Sequence, residues 1–414
     1  MYKYNPKDVF EFNTNYSLKN DKKRYLIFQT NQHEFLYPDR ENPSEDVNGT
    51  THPLLALFFA LFNGDRTVSD VVKDYSTLTG ADAGSIRKFA EKTLKEIFAE
   101  KQGTARQGKY IKFDENLFYI PGNIIIKANR KRENFVDVVD FKDFLIPKKD
   151  LDVHSFRYYS PLDCILEVNF TCYTDCVYCY ADRRKPIQFS IPLNRLKEVI
   201  REAREIGMRT FDLCGGELFL YEKWDILVKE LLENNFNPYI STKVPLSEET
   251  IKRLKNVGMK EIQISLDSIK EEELKQILNV YGNYLNSIVE TIKCLEKEDL
   301  KIFINGQISS LNSNPENVKE MLDFLLTFKN INSIKLGPTG YSLYRPKGNY
   351  EKISPHLADV KKIEELIDIY KQKHRKVSIN FSGYGEREVY FNEFKKRKRG
   401  LMKGQSVRGI FMRL

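Results

Sequence analysis

The sequence has no long hydrophobic run and no recognisable secretory signal. Its longest apolar stretch extends from Pro53 to Phe62, whereas a helix needs about 20 apolar residues to cross a bilayer. The first residues, Met-Tyr-Lys-Tyr-Asn-Pro, lack the apolar core of a signal peptide. We therefore expect a cytoplasmic protein with no membrane partner.

Cysteine is scarce, and its distribution is uneven. The 414 residues include 6 cysteines, three of them lie in one short loop, and none follows Cys294. A disulfide framework of the secreted kind would spread paired cysteines along a much shorter chain. The pattern therefore favours a reducing compartment and a ligand role for the clustered cysteines.

A large excess of one charge is also absent. Lysine and arginine number 66 against 58 acidic residues, which gives a net charge of +8. Part of this surplus lies in the basic run Lys395–Arg399, which we interpret as a solvated tail. The balance argues against nucleic acid as a partner. The length predicts two or three domains.

The N-terminal part predicts a small α+β domain that is winged-helix-like, over residues 1–121. Apolar patterns and turn residues predict a hairpin over 24–38, three helices and a second hairpin. The helices are expected at Pro53–Phe62, Thr67–Thr77 and Ser85–Ala99, and the second hairpin at 110–113 and 117–120. The second helix begins with Thr67-Val-Ser-Asp70, which predicts a capping box. Residues 122–160 show no sustained period and are predicted to be a linker.

Strand patterns alternate with helical patterns from residue 161 to 345. Strands are expected near 164–170, 210–214, 238–242, 261–267, 301–309 and 333–337, and helices near 193–206, 224–234, 248–256, 284–297 and 316–328. One βα repeat takes about 30 residues, and a closed eightfold barrel takes about 250. The sequence therefore predicts an α/β fold: a partial (β/α)6 TIM-like barrel. A helix over 354–372 and a strand over 377–381 should follow it.

Three cysteines follow the first strand of this barrel in a C-x3-C-x2-C arrangement: Cys172, Cys176 and Cys179. A 4Fe-4S cluster ordinarily takes four cysteine ligands. Three thiolates would therefore leave one iron open to a substrate or cofactor. The alternatives are a structural zinc site or three buried thiols, although paired zinc motifs supply a fourth ligand nearby.

Polar and glycine residues stand at the ends of the next strands, where βα sheets collect their chemistry. Gly215 and Gly216 allow close backbone approach, and Glu217 can accept hydrogen bonds from an ammonium group. Ser241 and Lys243 end the third strand, and they are either ligand contacts or a helix cap with a loop charge. Cys214 is interpreted as a buried thiol.

The cysteine loop and the Gly-Gly-Glu motif together resemble the signature of the radical S-adenosylmethionine (SAM) superfamily. The resemblance implies that the three cysteines hold one catalytic 4Fe-4S cluster whose open iron binds SAM. An electron from the cluster then cleaves SAM to a 5'-deoxyadenosyl radical. Tyr178 takes the aromatic position of that signature.

The same resemblance assigns further cofactor-binding residues. Gly215, Gly216 and Glu217 would bind the SAM amino group. Ser265 and Asp267, in a Ser-Leu-Asp at the fourth strand, would contact the ribose or carboxylate. Gly337 and Pro338, at the sixth strand, would flank the adenine. A family arginine that follows the fourth strand has no counterpart here, and Lys275 is the nearest cation.

The N-terminal element, with its Leu-Phe-Asn-Gly-Asp-Arg-Thr-Val-Ser-Asp-Val-Val turn, resembles the leader-recognition element of ribosomal-peptide maturases. That element is similar to the small chaperone of pyrroloquinoline quinone biosynthesis, where a leader peptide adds a strand to a sheet edge. A winged-helix DNA reader is the alternative. The third helix mixes Arg87 and Lys88 with Glu91 and Glu96, which argues against a phosphate-facing surface.

These resemblances imply a radical SAM maturase that introduces a thioether, a carbon-carbon crosslink or an epimer. Its expected partners are a precursor peptide with a leader and an electron donor such as flavodoxin or ferredoxin. The rivals are an enzyme acting on a protein or RNA and a non-catalytic peptide-binding partner. Peptide maturases of this group usually continue into a cysteine-rich SPASM or twitch domain. Residues 346–414 contain no cysteine, so we expect a truncated C-terminal segment with a basic tail.

Overall fold

The computed structural model describes most of the chain. The described residues are 3–13, 16–22, 24–29, 49–97, 109–113, 116–120, 124–128, 141–145, 159–181, 189–208, 210–234, 236–342, 344–346, 348–382 and 410–412. The chain divides into two compact units. The first comprises Met1–Leu162, Ala203–Thr210 and Ser406–Arg408, and the second comprises Asp163–Glu202, Phe211–Gln405 and Gly409–Leu414.

The first unit is a small α+β body. Its strands are β1 (Val9–Phe12), β2 (Tyr16–Asp21), β3 (Arg24–Gln29), β4 (Gly49–Thr51), β5 (Asn63–Thr67), β6 (Lys109–Phe113), β7 (Asn116–Ile120) and β8 (Ile125–Lys127). Its helices are α1 (Pro53–Ala60), α2 (Val68–Thr79) and α3 (Ala83–Ile97). In the described residues the strands form sheets of order β5-β1-β8, β2-β3-β4 and β6-β7. The three predicted helices and the second hairpin are confirmed.

Helix α2 begins with the predicted capping box. The Thr67 hydroxyl accepts from the Asp70 amide at 3.1 Å, and the Thr67 amide donates to the Asp70 carboxylate at 3.0 Å. Two amides that the first helical turn leaves without partners are thereby satisfied. Val71, Val72 and Tyr75 are buried in the core of this unit.

The prediction for residues 24–38 was half right. β3 exists, but it pairs with β2 along Tyr16↔Gln29 to Asp21↔Arg24 and with β4 on its other side. The second predicted arm, 34–37, lies outside the described residues. The predicted linker is also wrong at 125–127, because these residues form β8 and pair with β1. A three-residue strand is too short to show a period in the sequence.

The second unit is an eight-stranded sheet with helices, and it confirms the predicted fold class. Its strands are β9 (Asp163–Glu167), β10 (Thr210–Cys214), β11 (Asn237–Thr242), β12 (Glu261–Ser265), β13 (Lys301–Ile308), β14 (Ile331–Pro338), β15 (Ser378–Phe381) and β16 (Ile410–Met412). Their order is β15-β14-β13-β12-β11-β10-β9-β16. The pairings along β11 to β15, and that of β16 with β9, are parallel.

The helices of this unit follow the predicted alternation. They are α4 (Leu193–Glu205), α5 (Trp224–Glu233), α6 (Glu248–Asn256), α7 (Glu271–Leu278), α8 (Tyr284–Lys297), α9 (Pro315–Leu325), α10 (Asn349–Ile353) and α11 (Leu357–Lys373). Helices α7 and α10, and strand β16, were not predicted. Of the described helices, none is both long and apolar enough to cross a membrane.

Side-chain alternation along β13 shows how the sheet builds both a core and a site. Ile302, Ile304 and Ile308 are buried, and each fully buried aliphatic side chain contributes about 1.5–3 kcal/mol. Asn305 and Gln307 alternate with them and are half-buried. Because neighbouring residues of a strand point to opposite faces, one face is core and the other carries polar groups.

Candidate active site

A cavity of about 400 Å³ lies where strands β10 to β14 end. The predicted site residues that line it are Cys172, Cys176, Tyr178, Cys179, Gly215, Gly216, Glu217, Ser241, Lys243 and Ser265. Two predicted cofactor residues, Asp267 and Gly337, are not among the lining residues; Gly340 and Tyr341 line the cavity beyond β14 instead. Residues more than a hundred positions apart are thus brought to one place.

The cysteine loop presents two of its sulfurs to one hydroxyl. The Thr174 Oγ1 lies 3.6 Å from the Cys172 Sγ and 3.2 Å from the Cys176 Sγ. Burial raises the pKa of the Cys176 thiol, although Lys243 and the Thr174 hydroxyl act in the opposite direction. Iron ligation requires the thiolate, and the Lys243 ammonium and the Thr174 hydroxyl are the described groups that favour it.

Helix α7 anchors one side of the cysteine loop. The Asp175 amide donates to the Leu278 carbonyl at 2.9 Å, and the Val177 amide donates to the Ile277 carbonyl at 2.8 Å. The carbonyls of a last helical turn have no partner within the helix, so the loop satisfies them. Sequence reasoning missed α7, although three glutamates from Glu271 followed by buried apolar residues are a helix-start signal.

A segment after β14 anchors the other side of the loop. The Ser342 hydroxyl donates to the Cys179 carbonyl at 2.8 Å. The side-chain amide of Asn349 donates to the Val177 carbonyl at 2.9 Å. The Arg345 guanidinium donates to the Cys176 carbonyl and pairs with Asp175 at 3.0 Å. We call Ser342, Arg345 and Asn349 the loop clasp. No local pattern in the sequence signals these residues.

The two glycines of the Gly-Gly-Glu motif are required by the backbone. Gly215 has a φ of +116°, which side chains disfavour. A Cβ on Gly216 would lie 1.9 Å from the Thr171 carbonyl oxygen, so no side chain fits there. The Asn169 side chain donates to the Glu217 carbonyl at 2.9 Å and accepts from the Glu217 amide at 3.3 Å. The motif is thereby fixed against the strand that leads into the cysteine loop.

Glu217 presents a buried carboxyl group to the cavity. Its side chain accepts from the Phe219 and Lys243 amides, each at 3.3 Å, and the residue is 4% exposed. Burial raises the pKa of this carboxyl to about 7, against the lowering effect of these hydrogen bonds. A cationic ligand beside this buried carboxyl would favour its ionised form, because an opposite charge nearby lowers the pKa of an acid.

Lys243, Asp267 and Tyr178 form a connected group in which Asp267 is buried and the other two are half-buried. The Lys243 ammonium lies 3.1 Å from one oxygen of Asp267, and the Tyr178 hydroxyl donates to the same oxygen at 2.5 Å. Burial, and then Asp267, raise the pKa of Tyr178 well above its usual range. Burial alone would lower the pKa of Lys243, but Asp267 and the thiols beside it outweigh burial and raise it. Tyr178 is therefore a donor and Lys243 a cation.

The remaining cysteines stand apart from the loop. Cys214 lines the cavity, and burial raises the pKa of its thiol to about 12, so it stays protonated. Among the described residues, no three His, Cys, Asp or Glu side chains surround a point where one metal ion could sit. A single zinc ion needs its ligands around one point, whereas a cubane holds its thiolates on separate irons.

Comparisons with known proteins agree with this geometry. Residues 166–325 match the model of the Radical SAM superfamily. Among solved structures, Streptococcus suis SuiB bound to precursor peptide SuiA has a TM-score of 0.60 at 15% identity, covering 93% of this chain and 75% of that one. The matched segment is similar to a radical SAM domain. The cofactors of this superfamily are a 4Fe-4S cluster and SAM.

Curated relatives resemble part of this chain. A GTP 3',8-cyclase of Clostridium perfringens is 31% identical over 182 residues, which cover 41% of this chain and 53% of that protein. The sporulation killing factor maturation protein SkfB of Bacillus subtilis is 25% identical over 167 residues, 40% of each chain. The chain thus spans about half the length of the curated relatives it matches.

Proposed function

We propose that this protein is a radical SAM enzyme that modifies a ribosomally synthesised precursor peptide. The observation that carries the proposal is the single cavity that joins the three loop cysteines, Gly-Gly-Glu and Lys243. Cys172, Cys176 and Cys179 would hold the cluster. When bound, the cluster and SAM supply a 5'-deoxyadenosyl radical that abstracts hydrogen from the substrate.

The residues of this chain bind and orient the cofactor. Glu217 accepts from the SAM ammonium group, and Gly216 lets the Gly-Gly-Glu motif lie close to the Thr171 carbonyl, where no side chain fits. Ser265 offers a hydroxyl at the end of β12, where its oxygen already accepts from Gln263 at 2.7 Å. These groups are fixed in place before the ligand arrives, which reduces the entropy lost on binding.

Lys243 is our candidate for the SAM carboxylate. It is the single cation among the described residues that line the cavity. Lys275, which the sequence offered as the nearest cation, pairs with Glu272 at 2.8 Å on the exposed side of α7 and does not line the cavity. Lys243 thus supplies the charge that the missing family arginine would have supplied.

The polar lining favours a peptide over a nucleotide. Gln263, Ser265, Asn305 and Gln307 form a row of neutral donors and acceptors on β12 and β13, which suits the amides of a peptide backbone. A triphosphate would be expected to require several cations. Two similar proteins also favour a peptide substrate. SuiB is bound to the precursor peptide SuiA, and SkfB is a maturation protein of the sporulation killing factor. The curated GTP 3',8-cyclases support a second candidate, a reaction on GTP.

The first unit is our candidate for leader binding. Its small sheets offer strand edges to an extended peptide. Helix α3 pairs Lys95 with Glu91 at 2.7 Å, and this mixing of charges does not suit DNA. A small electron carrier such as flavodoxin or ferredoxin would supply the electron.

Anaerobic turnover tests the proposal. The reconstituted and reduced chain should release 5'-deoxyadenosine from SAM, and the Cys176→Ala variant should release none. Co-expression with a precursor peptide should change the mass of the peptide, while GTP should give no product. A wild-type chain with a full cluster but no SAM cleavage would support a non-catalytic binding partner instead. Conversion of GTP without any peptide product would support the second candidate.

A further inference from the structure

The carboxylate of Asp267 accepts hydrogen bonds from three donors of the protein itself. Its Oδ1 accepts from the Gln307 amide at 2.8 Å. Its Oδ2 accepts from the Tyr178 hydroxyl at 2.5 Å and from the Lys243 ammonium at 3.1 Å. A carboxylate has about four acceptor positions, so three of them are occupied.

Asp267 is also shielded from the cavity. Its side chain is 0% exposed, and it is not one of the residues that line the cavity. The backbone is held as well, because the Asn312 side chain donates to the Asp267 carbonyl at 2.6 Å. A ligand in the cavity would meet Lys243 before it met Asp267.

The partners of Asp267 belong to two different parts of the site. Tyr178 lies between Cys176 and Cys179 in the cysteine loop. Lys243 follows β11, and its amide donates to Glu217 of the Gly-Gly-Glu motif at 3.3 Å. The Lys243 ammonium also lies over the Tyr178 ring, 5.6 Å from its centre, a favourable arrangement for a cation. One carboxylate thus connects the cluster loop with the cofactor-binding cation.

We propose that Asp267 is a positioning residue that holds Lys243 and Tyr178 in place and does not itself contact SAM. The inference rests on the proposed function, because it assigns Lys243 to the SAM carboxylate. One N–H of the Lys243 ammonium donates to Asp267, away from the cavity, and the other two N–H groups remain for a ligand. Through Tyr178 the same carboxylate fixes the loop that carries the cluster.

A double-mutant cycle on SAM affinity tests the first half. Calorimetry under anaerobic conditions would use the reconstituted full chain as wild type, Asp267→Asn, Lys243→Met and the double variant. Each single change should weaken SAM binding about tenfold. The double variant should bind no worse than Lys243→Met, because Asp267 acts through Lys243. Additive losses would show that Asp267 has its own contact with SAM and would overturn the proposal.

Iron retention tests the second half. Tyr178→Phe and Asp267→Asn should each speed the loss of iron to a chelator about tenfold, and together no more than either alone. Rates equal to wild type in both variants would overturn the proposed connection to the loop. Asp225→Asn is the matched control, because Asp225 pairs with Arg253 at 2.7 Å on the surface; it should change neither quantity.

The same experiments also cover misfolding of Asp267→Asn and failure of the wild type to bind SAM. If Asp267→Asn does not fold, Tyr178→Phe and Lys243→Met form a second cycle, since Tyr178 is connected to Lys243 through the same carboxylate. Additive effects on SAM affinity in that cycle would overturn the proposal. If the wild type binds no SAM, the proposed function fails and this inference with it. If the wild type binds and cleaves SAM while the losses are additive, the inference alone fails.

Discussion

Individual residues at this site are defined by their surroundings more than by their type. Glu217 is an ordinary glutamate until burial raises the pKa of its carboxyl to about 7. Gly216 is an ordinary turn residue until the Thr171 carbonyl closes the space beside its Cα. Each leads to a prediction at the scale of one side chain.

SAM affinity should depend on pH through Glu217. Below a pKa of about 7 the carboxyl is mostly neutral and cannot hold an ammonium group well. Between pH 6 and pH 7.5 the ionised fraction of this carboxyl rises about eightfold, but part of the α-amino group of SAM loses its proton by pH 7.5, so SAM affinity should rise about fivefold. Calorimetry at several pH values would measure this. Glu217→Gln should bind weakly at every pH, and an equal pH dependence in that variant would contradict the assignment.

The same pKa affects the stability of the apoprotein. A carboxyl whose pKa is raised in the folded state binds its proton more tightly there than in the unfolded chain. The free energy of unfolding contributed by Glu217 should therefore fall as the pH rises from the unfolded value toward about 7. Urea unfolding at acidic and neutral pH, compared between wild type and Glu217→Gln, would detect the difference.

Gly216→Ala should impair cluster loading as well as SAM binding. The added Cβ would have to displace the Thr171 carbonyl, and Thr171 precedes the proposed ligand Cys172. Overpacking of this kind typically costs about 1–3 kcal/mol, and here the displaced backbone carries a ligand. Iron analysis after reconstitution is the measurement. Gly84→Ala, in a helix where the nearest group is the Asp82 side chain, is the control and should load normally.

At the scale of elements, the cysteine loop depends on two segments that contain no cysteine. Carbonyls in the last turn of α7 accept hydrogen bonds from amides of the cysteine loop. The loop clasp donates to carbonyls of the cysteine loop. Backbone amides and carbonyls need partners, and one such pair forms within the loop, where the Cys179 amide donates to the Cys176 carbonyl at 3.0 Å. The geometry of the ligand loop is thus imposed from both sides.

Arg345→Gln should make the cluster labile. The change removes the ion pair with Asp175 and weakens the bond to the Cys176 carbonyl, so iron loss to a chelator should be about tenfold faster. Arg345→Lys should fall between the variant and wild type, since it keeps the charge but not the planar donor set. Arg253→Gln, which breaks a surface pair with Asp225, is the control. Equal rates for Arg345→Gln and this control would refute a role for the clasp.

At the scale of the whole molecule, we expect one cluster per chain. Cys164 lies in β9, Cys214 ends β10 and Cys294 lies in α8, so these three are dispersed. In the described part of the chain they form no metal-binding group. Iron and sulfide analysis with Mössbauer spectra should give about four irons. A value near eight in well-formed cubanes would mean that a second site exists.

The sequence by itself determined the features that depend on neighbouring residues. The spacing of Cys172, Cys176 and Cys179, the Gly-Gly-Glu motif, the capping box at Thr67 and the βα alternation are all local patterns. Local patterns can be read because helix and strand periods and turn chemistry involve residues a few positions apart. They were enough to predict the barrel and ten of the residues that line the cavity.

Only the tertiary structure decided which of those residues line the cavity. The bond from Tyr178 to Asp267 joins residues 89 positions apart, and the bond from Arg345 to Cys176 joins residues 169 apart. The Ser-Leu-Asp motif predicts a cofactor contact at Asp267, but the folded chain fills that carboxylate with its own donors. Strand β8 likewise has no signal in the sequence, and the structure reveals it by its pairing with β1. Pairings between distant residues leave no local pattern, because folding brings together groups that the sequence keeps apart.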